Sequence, residues 1–149
     1  VKKVATPDTV ENVSGNQPLD KRQQDGGSME YKLMGEHNDI AQVLGDEILV
    51  YDAQSALDLI ATAQYETGCD KLILSKACLA EDFFVLSTGV AGAVLQKFVN
   101  YRKKVAIIGD YSGYTSKPLQ DFIYESNKGN SIYFLADVQQ AVRKLDSER

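Results

Sequence analysis

Residues 85–110 read VLSTGVAGAVLQKFVNYRKKVAIIGD, and their reading decides the fold. Val90, Ala91, Val94, Leu95, Phe98 and Tyr101 recur at helical spacing after Ser87-Thr88-Gly89. That period places them on one face of an amphipathic helix. The spacing collapses at Val105 into a continuous apolar run, VAII, bounded by Lys104 and Gly109-Asp110. A short unbroken apolar run, three of its four residues β-branched, predicts a strand buried on both faces. Helix followed at once by buried strand is the unit of a parallel sheet.

Working outward, the same unit repeats. Upstream, Asp52 is placed as an N-cap for a helix carrying Ala53, Ala56, Leu57, Ile60 and Ala61, with Gly68 as its stop. KLILS at 71–75 then reads as another buried strand. Downstream, the loop YSGYTS at 111–116 leads to a helix with Pro118 in its first turn and Leu119, Phe122 and Ile123 inward. SIYFLA at 131–136 is a further strand, and Asp137 with Gln140 has capping-box spacing ahead of Val138, Ala141, Val142 and Leu145. Before all of these, residues 31–50 predict two or three short strands with turns at GEHND and LGDE. The expected architecture is α/β: a small, mixed, mainly parallel sheet flanked by helices, over residues 29–149. Residues 1–28 carry no aromatic residue and end in Gly-Gly-Ser, the composition of a disordered extension or an expression remnant.

Composition narrows the function classes. The net charge of −5 argues against non-specific nucleic-acid binding, which needs a basic face. Arg102-Lys103-Lys104 is the one local basic run, placed where it would complement a helix dipole. No apolar run reaches the length of a membrane span. Two cysteines, Cys69 and Cys78, with a single histidine, His37, in a polar stretch make neither a zinc site nor a nucleophile–base pair. Two reduced thiols in a cytoplasmic protein are expected. No cofactor, metal or catalytic residue is indicated, and the chain reads as a non-enzyme more readily than as an enzyme.

Ser-Thr-Gly opening a helix after a buried strand resembles the STAS fold of anti-sigma-factor antagonists and transporter regulatory domains. In that fold a serine at this place is a phosphorylated switch, which the resemblance transfers to Ser87 or Thr88. A closer resemblance, over roughly residues 36–145, is to the bacterial domain of unknown function 4180. GCDKLIL, TGVAGAVLQKFVNYR, VAIIGDYSGYTSKPLQDFIYESNKG and IYFL carry it. It implies a cytoplasmic bacterial protein and brings no established activity. It also makes Thr88-Gly89 the shared element, so Thr88 is the better candidate hydroxyl.

Two candidate sites follow. The first is a partner-binding or switch surface at Ser87, Thr88 and Gly89, with Phe83 and Phe84 beside it as an apolar edge, although two phenylalanines in an irregular segment more often close off a core. Free first-turn amides and the dipole attract phosphate or carboxylate there, although capping alone also accounts for the residues. The second is a ligand rim of Lys76, Asp110, Tyr111, Tyr114 and Thr115, because ligands in open α/β sheets bind beyond the carboxyl ends of parallel strands. A solvated turn is its plainer reading. The expected role is a regulatory module with a protein partner; the alternative is a small-ligand or nucleotide-binding domain, or a small enzyme, using the rim. A homodimer held by an edge strand or by the two phenylalanines is a third.

Overall fold

A computed structural model describes residues 29–45 and 47–147; the expected N-terminal extension lies outside the described residues. Five strands form one sheet: β1 (Glu30–Met34), β2 (Ile40–Leu44), β3 (Lys71–Ser75), β4 (Lys104–Ile108) and β5 (Ile132–Leu135). The helices are α1 (Ala53–Thr67), α2 (Val90–Asn100), α3 (Lys117–Lys128) and α4 (Val138–Asp146). β1 and β2 make an antiparallel hairpin, and β2 through β5 are mutually parallel in sequence order. The third strand expected near residue 50 is reduced to a single bridge, Val50 to Leu79.

Right-handed crossovers repeated in one direction put successive connecting helices on one face of the sheet. Burial agrees. Leu72, Leu74, Val105, Ile107 and Phe134 share a core with Leu59 and Ile60 of α1, Val94 and Phe98 of α2 and Leu119 of α3. The alternate residues Ile40, Ile73, Ala106 and Tyr133 face the other way, onto Ala141 and Leu145 of α4. Strand side chains alternate between faces, so KLIL and VAII are apolar throughout because both faces are covered. Leu145 is fully buried, a contribution of about 2 kcal/mol.

The ends of the helices follow the expected chemistry. Asp52 and Ser55 form a reciprocal capping box on α1, and Gly68 ends it at φ +70°. On α4 the box is half made: Asp137 Oδ1 accepts the Gln140 amide at 2.9 Å, but Gln140 Oε1 accepts the Ala136 amide at 3.3 Å and not that of Asp137. One face differs from expectation. α1 buries Ser55, Ala56, Leu59, Ile60 and Ala63, whereas Ala61 is exposed. The basic run differs too. Lys103 turns inward, its ammonium 2.9 Å from Asp70 and also bonded to the Gln64 amide oxygen, while Lys104 donates to the Asn130 carbonyl. Burying an ammonium demands such partners. No described helix is long and apolar enough to cross a membrane.

Because strand order never reverses, the sheet lacks the crevice that a doubly wound fold opens at its switch point. The loops after β3, β4 and β5 instead stand side by side along one edge.

Candidate functional site

Lys76 leaves the end of β3 in a short 3-10 turn, Lys76–Cys78, capped by Ser75, whose Oγ accepts the Ala77 amide at 3.1 Å. Its aliphatic stem lies against Gly109, just past the end of β4. The ammonium sits 4.8 Å from the centroid of the Tyr114 ring and 5.8 Å from that of Phe84. Those two rings are stacked, 5.1 Å apart and 18° from parallel. Cation and rings attract through the ring quadrupole, by about 0.5–1 kcal/mol at a site open to water. Tyr114 also donates its hydroxyl to Glu81 at 3.3 Å.

Tyr111 faces inward. Its hydroxyl donates to the Ile107 carbonyl at 2.6 Å, and its ring meets Phe134 edge-on. Burial, and then the neighbouring Tyr114, push its phenol well above the ordinary value, so it stays protonated. Asp110 does the opposite. It accepts from the Ser112 hydroxyl at 2.7 Å and the Ser112 amide at 2.9 Å. Those bonds, followed by the nearby Lys76 charge, hold its carboxyl below the usual aspartate range. A carboxylate so stabilised is a poor general base near neutral pH. Beside it lies an open depression of about 510 Å³, lined by Asp110, Tyr111, Phe134, Leu135, Ala136 and Gln140. Thr115 is exposed at the far end of the loop, next to the α3 N-cap Ser116.

The Ser-Thr-Gly stretch lies on the adjoining turn. Leu86–Thr88 is a 3-10 turn, and Gly89 is the α2 N-cap, at φ +80° and without a side chain to offer. Thr88 Oγ1 lies 2.8 Å from the carbonyls of both Asp82 and Val85, to which it donates, and it accepts the Val90 amide at 3.2 Å. Its hydroxyl therefore knits the turn to the helix start. Ser87 is exposed. No hydrogen bond joins Thr88 to Lys76 or Asp110.

The phenylalanines require a correction. Phe83 is fully buried and Phe84 is 4% exposed, so neither offers an apolar edge to a partner. The 3-10 turn Glu81–Phe84 tucks both rings under, edge to face at 4.9 Å, with Phe83 reaching Phe134. Phe84 instead floors the rim beneath Lys76 and Tyr114. The structure thus brings together Lys76, Asp110, Tyr111 and Tyr114, with Ser87 and Thr88 on the next turn along the chain from Phe84. Glu81, Gln140 and Gly109 were not read as members; the one signal for them was Gly109 itself, a glycine closing an apolar strand where another chain element can approach.

The family model described as a domain of unknown function (DUF4180) matches residues 35–145. The chain belongs to this family. The DUF4180 match covers β2 to β5, α1 to α3, α4 up to Leu145 and the whole rim. No curated protein and no solved structure matches the chain.

Proposed function

We propose that this DUF4180 domain is a non-enzymatic regulatory module of the bacterial cytoplasm, of STAS-like kind, that docks a protein partner on the carboxyl edge of its sheet. The observation that carries the reading is an open rim with the Lys76 ammonium set over two rings, followed three residues beyond Phe84 by an exposed serine in the turn ahead of α2. The alternation of strand and helix, with a tight turn ahead of α2, supports the STAS-like assignment. Lys76, Glu81 and Asp110 offer mixed charges around the half-buried Tyr114 ring, a surface suited to polar contact with another chain. The open form of the depression favours a partner's side chain over an enclosed small molecule.

The switch is placed at the helix start. Phosphate on Ser87 would stand beside the first-turn amides of α2 and add about two negative charges at a point facing the partner. Thr88 is the secondary position, because its hydroxyl must first leave the bonds it makes.

The test is affinity capture from the native bacterium with wild type, Ser87→Glu, Thr88→Glu and Lys76→Glu, read by quantitative mass spectrometry. One protein whose recovery differs from wild type in both Ser87→Glu and Lys76→Glu supports the module. Equal recovery of all proteins by every variant ends the reading.

A further inference from the structure

The two edges of the sheet are built differently, and the difference points to a second copy of this chain. At the β5 edge, Asn127 of α3 reaches across and clasps the outward backbone of Phe134: its amide nitrogen donates to the Phe134 carbonyl at 3.1 Å, and its amide oxygen accepts the Phe134 N–H at 2.7 Å. That edge is closed to strand addition. At the β1 edge, hydrogen bonds among the described residues come only from β2 and the strand's own turn. An uncovered edge is a template for another strand.

β1 is also self-complementary. In a symmetric antiparallel pair, residue i of one copy faces residue j of the other, and j faces i in return. Centred on Tyr31, that rule sets Glu30 opposite Lys32 of the second copy, twice over, and Met29 opposite Leu33. Glu30 and Lys32 are exposed on one face and make no ion pair among the described residues. Met29 and Leu33 are half-buried on the other face, packed against the main core with Tyr31. Charge therefore meets opposite charge and apolar meets apolar in one register. The neighbouring symmetric register, centred on Lys32, would set two lysines face to face, which is unfavourable.

We infer that two copies of the chain pair through β1, antiparallel about Tyr31, to make one continuous ten-stranded sheet, twice the five strands of each copy. With β5 closed by Asn127, addition stops at two instead of running on into a filament. The inference is independent of the rim and of the switch at Ser87.

The test is sedimentation equilibrium of the full 149-residue chain over a dilution series, with Glu30→Lys, Lys32→Glu and an equimolar mixture of the two variants. Each variant alone places like charges opposite one another, whereas the mixture restores opposite charges in a heterodimer. The expected result is a wild-type dimer, weakening of about tenfold or more in each variant alone, and recovery of dimer in the mixture. Circular dichroism of each variant checks that the exposed substitutions leave the fold intact. A wild-type chain that stays monomeric up to its solubility limit overturns the inference. So does a dimer that both variants hold as tightly as wild type, or a mixture no tighter than its components.

Discussion

Gly109 and Lys76 interlock. A β-carbon added at Gly109 would stand 2.6 Å from Cβ of Lys76 and 3.0 Å from its Cδ. The first contact is with the rigid base of the side chain, so rotation of the ammonium end cannot relieve it. Gly109→Ala should therefore force β3 and β4 apart at the rim and cost about 1–3 kcal/mol. Gly113→Ala, in the same loop with open space around it, should stay within about 0.5 kcal/mol of wild type. Urea unfolding followed by circular dichroism checks both, and equal midpoints for the two variants would refute the interlock.

Asn127 is the side chain that closes the β5 edge. Replacing it with alanine removes two hydrogen bonds and leaves the Phe134 N–H and carbonyl without them. The expected loss is about 1–3 kcal/mol, and the freed edge should make the chain prone to concentration-dependent association beyond the dimer. Light scattering against concentration measures the second effect separately from the urea midpoint. Asn127→Asp, which keeps the acceptor and loses the donor, should fall between wild type and alanine.

The fold was largely legible because its strands are buried on both faces and its caps are chemically explicit. Asp52, Gly68, Pro118 and Asp137 mark helix ends that the structure reproduces within a residue or so. The core face of α1 was less so, since alanines stand on both sides of the helix and only packing decides between Ala61 and Ala63. Residues 76–88 were the least legible. Three consecutive 3-10 turns carry no sustained period, so the inward turn of Phe83 and Phe84 could be read only from their apolar character and not from any spacing. Lys103 was hidden by its neighbours in a basic run, and Asn127 has its amide drawn to the sheet edge by backbone groups that no sequence pattern displays.

Thr88 and Ser87 separate structure from signalling in adjacent residues. Thr88→Val keeps the shape of the side chain and removes a hydroxyl that bridges the carbonyls of Asp82 and Val85 to the Val90 amide. It should cost about 1 kcal/mol. Ser87→Ala, at an exposed position, should leave stability within about 0.5 kcal/mol. Thermal denaturation of the pair decides the matter. A larger loss at Ser87 than at Thr88 would reverse the assignment of the two hydroxyls.

Asp110 gives the rim a dependence on pH. Its carboxyl is held below the ordinary value first by the Ser112 hydroxyl, then by the Ser112 amide, with Lys76 adding to them. A group whose folded pKa lies below its unfolded value adds stability above the unfolded value, about 3.9 for aspartate, and loses it as pH falls through the folded one. Wild type should therefore lose stability more steeply than Asp110→Asn between about pH 5 and pH 2. The curves should run parallel at neutral pH, where the carboxylate is fully ionised. Ser112→Ala, which removes one of the two donors, should shift the wild-type acid limb towards that of Asp110→Asn. Urea midpoints taken across the acid range measure the slopes, and identical acid limbs for wild type and Asp110→Asn would mean that the Ser112 bonds do not favour the ionised carboxylate in solution.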